Sequence, residues 1–184
     1  MDSTVEALLA QLRAVNEDIR TLVEGLDARR LNWSPDGRRW SAGQALEHLS
    51  ITTDRYLPVL DQAIASLVAS GRRSTGAPTL GWFDRLFLRV LEPPVRLRVK
   101  APAAFVAGLG LDPSATWVRW TDTQEAFADR IRRCEGLDLK GVSVRSQFGP
   151  VSFSLYASFA ILLAHQRRHA WQIRQLMRDA SFPQ

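Results

Sequence analysis

The sequence predicts an all-α fold: a four-helix bundle with a long crossover connection between its second and third helices. Four stretches of the chain repeat their apolar residues at helical spacing, and three of these stretches begin with a Ser/Thr-x-x-Glu/Gln capping pattern. A long segment without this periodicity separates the second stretch from the third. The 184 residues suit a single domain, which we expect to span residues 1–184.

The first helix is predicted at about residues 3–24. Ser3 and Glu6 have the spacing of a capping box, and Gly25 follows the last turn as a C-terminal stop. The apolar residues of its inner face recur at spacings of four, three, four and three: Leu8, Leu12, Val15, Ile19 and Leu22. This face is expected to pack against the other helices.

The second helix is predicted at about residues 41–70. Ser41 and Gln44 form its capping box, and Trp40 precedes them as a hydrophobic staple. Pro58 lies inside the pattern and is expected to kink or loosen the helix locally. Gly71 is the expected C-terminal stop.

The third and fourth helices are predicted at about residues 121–135 and 152–178. Thr121 and Gln124 have capping-box spacing, and Ser152 is the expected N-cap of the fourth helix. Both stretches carry apolar residues on one face, so both are expected to contribute to the bundle core.

The crossover, residues 71–120, contains an amphipathic stretch at residues 80–91 and an alternation of apolar and basic residues at 95–100, which predicts an extended segment. Residues 138–147 also alternate as in a short strand. The segment 71–100 has seven cations and two acids, a difference of +5 that equals the net charge of the whole chain. Such a segment is either a solvated arginine-rich face or a site for an anionic ligand, an acidic partner or a phosphate backbone.

Composition excludes several classes of protein. Cys134 is the single cysteine, so the chain has no internal disulfide and no zinc site that needs two thiolates. No run approaches about 18 uninterrupted apolar residues, and the first residues lack the pattern of a secretory signal. We therefore expect a cytoplasmic protein, with neither a membrane nor nucleic acid as its partner.

The three histidines are the residues with the clearest chemical pattern. His165 and His169 are four residues apart in the fourth helix, which places both imidazoles on one face. His48 borders the inner face of the second helix. Three inward histidines form a three-nitrogen metal site with an open position, although an inward histidine is also a common hydrogen-bonded core residue. Three imidazoles suit zinc, nickel, iron or copper, of which we expect zinc or nickel.

Three polar side chains lie about one helical turn from these histidines. Gln44 and Thr52 flank His48, and Gln172 follows His169. They are expected either to line a pocket and orient the ligands or to be ordinary polar residues of a helix surface. No phosphate-binding loop, dinucleotide-binding motif or Gly-x-Ser-x-Gly elbow is present, and no catalytic residue is identified.

Three segments of the chain together resemble the DinB/YfiT-like metal-binding superfamily. They are residues 40–49 (WSAGQALEHL), residues 91–102 of the crossover, and the last helix with its lead-in, QFGP at 147–150 and HQRRHAWQI at 165–173. The resemblance implies a four-helix bundle, often dimeric, that holds a divalent metal through three histidines, matched here by His48, His165 and His169. Characterised members of this superfamily include thiol-dependent S-transferases and isomerases that use mycothiol, bacillithiol or glutathione. The resemblance therefore also implies a thiol-dependent activity of this kind.

Three functional hypotheses follow. The first is a divalent-metal-dependent enzyme, a thiol-dependent S-transferase or a hydrolase, that acts on a small molecule as a homodimer. Arginines of the segment 71–100 would then bind the carboxylate of a low-molecular-weight thiol. The second is a non-catalytic stress-response or binding protein with a structural or vestigial metal site. The third is a nucleic-acid or membrane-surface binder that uses its basic segment.

Overall fold

The computed structural model describes residues 4–74, 76–95 and 100–184 of the chain. Its six helices are α1 (Thr4–Val23), α2 (Ala28–Leu31), α3 (Ala42–Ser70), α4 (Trp82–Leu91), α5 (Pro113–Arg132) and α6 (Leu155–Met177). The remaining elements are a 3₁₀ turn at Ala103–Phe105 and two short strands, β1 (Ser143–Arg145) and β2 (Ser152–Ser154). This architecture confirms the all-α fold.

The four long helices enclose one apolar core. Helix α3 packs against α5 and α6, and α1 packs against the same two helices. Trp120, Phe127 and Phe159 are the largest fully buried side chains, and burial of each such side chain stabilises the fold by roughly 1.5–3 kcal/mol. None of the helices in the described ranges is long and apolar enough to cross a bilayer.

Helix α3 begins and ends as the sequence predicts. The Ser41 hydroxyl accepts a hydrogen bond from the Gln44 amide, and the Gln44 side chain accepts one from the Ser41 amide, each at 3.1 Å. Gly71 adopts the left-handed conformation with φ of 66°, which glycine tolerates without a steric penalty. The helix is continuous through Pro58, which lies on its exposed side, where water can bond to the carbonyl that lacks a donor.

Ion pairs align α5 with α3. The Arg119 guanidinium contacts the carboxylates of Glu47 at 2.8 Å and Asp54 at 3.0 Å, and Arg130 contacts Asp61 at 2.9 Å. Exposed pairs of this kind each contribute only about 0.2–1 kcal/mol. Their importance is orientation, because they hold one side of α3 against α5 and leave another side facing α6.

Helix α5 begins at Pro113, well before the predicted residue 121. Asp112 is its N-cap and accepts a hydrogen bond from the Ala115 amide at 2.8 Å. The Thr121 hydroxyl instead donates to the Trp117 carbonyl inside the helix. The predicted start was wrong because an aspartate followed by proline at the first helical position is the stronger initiation signal, and a threonine within a helix bonds back to the preceding turn.

The fourth predicted helix also begins later than residue 152. Ser152 lies in β2, which pairs antiparallel with β1, and Ser154 caps α6 by accepting a hydrogen bond from the Ala157 amide at 3.1 Å. The strand predicted within residues 138–147 is β1, and the amphipathic stretch at 80–91 is α4. The extended segment predicted at 95–100 lies largely outside the described residues.

Loss of the α3 capping box is expected to destabilise the protein. The substitution Ser41→Ala should lower the free energy of unfolding by about 0.5–2 kcal/mol, because the Gln44 amide loses its acceptor. Urea unfolding followed by circular dichroism measures this change. Ser66→Ala, at an exposed position of the same helix, is the matched control and should leave stability nearly unchanged. Equal losses in the two variants would contradict the assigned cap.

Candidate metal centre

The structure brings the three histidines together between α3 and α6. Nε2 of His165 lies 3.3 Å from Nε2 of His48 and 3.1 Å from Nε2 of His169. One ring nitrogen from each histidine can be chosen so that all three lie within 4.8 Å of one another. His48 and His169 are buried, and His165 is half-buried. The convergence predicted from the His-x3-His spacing and the inner face of the second helix is therefore confirmed.

The indole ring of Trp40 covers one side of this cluster. Its ring centre lies 4.7 Å from that of His48 and 6.0 Å from that of His169, with the His169 ring nearly parallel to it. Trp40 precedes the N-cap of α3, where a hydrophobic staple was predicted. Its contact with the two imidazoles closes the cluster on that side.

A backbone carbonyl of the crossover orients His48. Nδ1 of His48 donates to the carbonyl oxygen of Phe105 at 2.7 Å. Because a carbonyl oxygen only accepts, Nδ1 carries the proton of the neutral ring, and Nε2 presents its lone pair to the other histidines. The 3₁₀ turn Ala103–Phe105 of the long connection therefore helps to build the site.

Burial keeps the three imidazoles neutral. Burial, together with the neighbouring His48 and Arg168, lowers the pKa of His165 to about 3. Burial likewise lowers the pKa of His169 well below its ordinary value, and that of His48, where the bond to Phe105 opposes the shift. A histidine must be neutral to bind a metal ion, so all three rings have the required form at neutral pH.

The cluster fits a divalent cation. His48 has no proton on Nε2. A single proton on Nε2 of His165 can form a hydrogen bond with only one of its two neighbours, so lone pairs of the ring nitrogens converge on the same point. In a tetrahedral zinc site with Zn–N distances near 2.0–2.1 Å, ligand nitrogens lie about 3.3 Å apart, close to the separations seen here. Three imidazoles also leave coordination positions for a further ligand.

The three polar residues predicted near the histidines have different environments. The Gln44 side chain belongs to the capping box of α3. Thr52 is buried one turn from His48, and its hydroxyl has no hydrogen-bond partner among the described residues. Gln172 is half-buried, and its hydrogen bond partly opposes the lowering of the His169 pKa. Their role in lining a pocket stays a prediction.

The cluster lies beside an aromatic rim that sequence reasoning missed. The Phe148 ring centre lies 5.7 Å from that of His165 and 4.6 Å from that of Phe105. The Arg55 guanidinium carbon lies 5.1 Å from the centre of the Phe105 ring. Phe148 and Arg55 are exposed, so this side faces solvent. One feature of the sequence indicated that Arg55 lies near the histidines: it is the only arginine or lysine of α3, and it follows His48 by two helical turns.

The loop that carries Phe148 is held in place by Tyr56. The tyrosine hydroxyl accepts a hydrogen bond from the Gln147 amide at 3.1 Å and lies 3.3 Å from the hydroxyl of Ser146. Ser146 in turn accepts from the Phe148 amide at 3.1 Å. The rim is thereby joined to α3, the helix that also provides His48 and Arg55.

The first arginines of the segment 71–100 lie away from this rim. Arg72 pairs with Asp138 at 3.1 Å, and the backbone of Arg73 bridges to Leu137 just beyond the C-terminus of α3. His48 is near the opposite end of that helix, which is about 43 Å long at 1.5 Å per residue for its 29 residues. These two arginines are therefore too distant to bind a ligand at the histidines, which corrects that part of the expectation.

The comparisons with known proteins agree with the fold and the cluster. The family model of the DinB superfamily matches residues 11–173. The chain therefore belongs to the DinB superfamily. No curated protein and no solved structure matches the sequence.

Removal of one histidine is expected to abolish metal binding. Untagged protein should hold about one zinc or nickel ion per chain, and His169→Ala should reduce this to below about one tenth, because two imidazoles rarely retain the ion. Elemental analysis after dialysis measures the content. Gln175→Ala, at a half-buried position of the same helix, is the matched control. Equal metal content in the two variants would show that His169 is not a ligand.

The lowered pKa values predict that the metal-free protein loses stability as the pH falls below about 6.5. In the unfolded chain a histidine titrates near its ordinary pKa of 6.5, whereas His165 stays neutral in the fold down to about pH 3. Protons therefore favour the unfolded state in this interval, by up to about 1.4 kcal/mol per pH unit for each such histidine.

Urea unfolding of the metal-free protein at about pH 7 and about pH 5 tests whether the buried histidines make its stability depend on pH. The His165→Gln variant should lose less stability between the two values than the unsubstituted protein, because it lacks one titrating ring. The comparison removes the contribution of the carboxylates, which are the same in both proteins. An equal loss in both would contradict the buried, neutral state of His165.

Proposed function

We propose that this protein is a metal-dependent enzyme that transfers a low-molecular-weight thiol in a reaction with a small-molecule substrate. The observation that carries the proposal is the convergence of three neutral imidazoles, with Nε2 separations of 3.1 and 3.3 Å, beside an exposed aromatic rim. His165 is only half-buried beside this rim, whereas a site that served only to stabilise the bundle would need no access from solvent. Membership of the DinB superfamily supports a metal at this position.

The chain's own residues would bind the ion and restrict access to it. His48, His165 and His169 would hold zinc or nickel through their ring nitrogens, with Trp40 covering one side. A divalent cation in this position lowers the pKa of a bound thiol, so that the reactive thiolate is present at neutral pH. The hydrogen bond from His48 to Phe105 keeps the donor nitrogen aimed at the centre.

Arg55 and Phe148 would orient the thiol-bearing molecule. Arg55 has no acidic partner within the described ranges, so its guanidinium is available for a charge-assisted hydrogen bond with a carboxylate. It follows His48 by seven residues, which corresponds to about 10 Å along the helix axis. A thiol whose carboxylate lies roughly this far from its sulfur, such as a small peptide thiol, suits this spacing.

Hydrolysis is the second reaction type that a three-histidine site supports, through an activated water molecule. The cluster contains no carboxylate among the described residues, and Glu47, beside His48, pairs with Arg119 on the other side of α3. A hydrolase site of this type requires a general base close to the water. The aromatic rim and the absence of such a base favour thiol transfer.

A non-catalytic binding or stress-response role, with a structural or vestigial metal, is the alternative. It predicts a bound ion without thiol-dependent turnover. The homodimer and the cytoplasmic location remain expectations from the sequence and the resemblance.

A turnover assay with two thiols tests the proposed function. Zinc- or nickel-loaded protein should accelerate the reaction of glutathione with an aromatic halide, and His169→Ala should lose this acceleration. Arg55→Ala should raise KM for glutathione about tenfold or more with little change in kcat, because one charge-assisted hydrogen bond is lost. The neutral thiol 2-mercaptoethanol should react equally with the unsubstituted protein and with Arg55→Ala.

Arg73→Ala is the matched control, since Arg73 is exposed beyond the far end of α3. An equal rise of KM in Arg73→Ala would contradict the role of Arg55. If the loaded protein accelerates no reaction with either thiol, the non-catalytic alternative applies.

A further inference from the structure

Helix α4 presents a large apolar surface that the described part of the chain leaves mostly exposed. Four side chains, Trp82, Phe83, Leu86 and Val90, are exposed, and the exposed fraction reaches 73% for Trp82 and 54% for Leu86. Their positions, at i, i+1, i+4 and i+8, place them on one side of the helix. We call these four residues the outer face of α4. No residue of this ten-residue helix is buried.

The opposite side of α4 is fastened to the bundle. Phe87, Leu88 and Leu91 pack against Phe153, Ala157 and Ile161. At the end of the helix, Glu92 pairs with Arg167, and the Val90 carbonyl accepts a hydrogen bond from Arg168 at 3.3 Å. Phe83 lies at the border of the two sides, because its ring also stacks on that of Phe153 with ring centres 6.1 Å apart. The helix is thus docked by one side, and Trp82, Leu86 and Val90 point away from the protein. Exposed apolar patches of this kind mark interaction sites.

The charges around the outer face are positive. Arg85 and Arg89 are exposed beside it, and neither forms an ion pair with a described residue. The two acids of the segment 71–100 are occupied elsewhere, because Asp84 accepts the Gly81 amide at 3.0 Å and Glu92 binds Arg167. The surface therefore combines large apolar side chains with unpaired cations, which favours an anionic partner.

The same charges disfavour a second copy of this chain. In a two-fold symmetric contact the same patch occurs on both subunits, so Arg85 and Arg89 would approach their own equivalents. A short helix that stands out from the bundle, with tryptophan, phenylalanine and leucine on one side and arginines flanking them, has the pattern of helices that lie in the interface of a bilayer. Trp82, at the start of the helix, is of the residue type enriched at that depth.

We propose that α4 binds the surface of an anionic lipid bilayer, with its outer face inserted between the headgroups and with Arg85 and Arg89 contacting lipid phosphates. This gives a defined site to the third sequence hypothesis, membrane-surface binding through the basic segment, and departs from the expectation of no membrane partner, which rested on the lack of a spanning segment. The helix lies on the bilayer and does not cross it. The proposal is independent of the metal centre and of the proposed function.

Co-sedimentation of the full-length untagged protein with vesicles tests the proposal. The protein should bind vesicles of phosphatidylglycerol and phosphatidylcholine, bind pure phosphatidylcholine at least tenfold more weakly, and dissociate as salt is raised, because lipid charge contributes to the affinity. Leu86→Glu should weaken binding to the anionic vesicles at least tenfold. Val118→Glu, which adds the same charge at a position of α5 with 56% exposure, should bind like the unsubstituted protein.

Two further measurements keep the outcome decisive. Circular dichroism establishes whether the variants are folded. If Leu86→Glu is not folded, Trp82→Ser replaces it, and this variant should also weaken vesicle binding. Absence of binding to the anionic vesicles, or equal binding by Leu86→Glu and Val118→Glu, would overturn the proposal. Sedimentation equilibrium measures the oligomeric state. If the protein does not bind vesicles but forms a dimer that Leu86→Glu dissociates and Val118→Glu does not, the outer face is assigned to a second copy of the chain.

Discussion

The hydrogen bond from Nδ1 of His48 to the carbonyl oxygen of Phe105, at 2.7 Å, determines what the centre of this protein can do. It selects the tautomer in which Nε2 carries a lone pair, and it aims that lone pair at His165, 3.3 Å away. The acceptor comes from the crossover, and the donor comes from α3. The long connection between the second and third helices of the bundle is therefore part of the site.

Burial gives the histidine cluster its chemistry at a cost in stability. Removing three imidazoles from water lowers their pKa values and keeps them neutral, which is the form that binds a metal ion. Few N–H donors are available to the converging ring nitrogens. The buried hydroxyl of Thr52 has no hydrogen-bond partner among the described residues. An ion that binds only the folded chain stabilises the fold by mass action.

Local signals in the sequence predicted the elements that depend on neighbouring residues. Helix α3 begins at the capping box of Ser41 and Gln44 and ends at the left-handed Gly71, as predicted. Each of these caps is a contact within one turn of helix, so the local sequence is sufficient to predict it. The start of α5 was placed too late because Thr121 has capping-box spacing but lies inside a helix already begun at Asp112 and Pro113. Of these two local signals, the aspartate followed by proline at the first helical position is the stronger.

The all-α class and the role of the three histidines could be predicted from the sequence, because helical periodicity places His165 and His169 on one face and His48 beside the inner face of its helix. The rest of the site depends on contacts between distant segments. The carbonyl of Phe105, the rim residue Phe148 and the guanidinium of Arg55 come from three separate segments, and they meet because the crossover and the β1–β2 hairpin fold back onto α3. No periodicity within one helix encodes such contacts, since they depend on how distant segments pack.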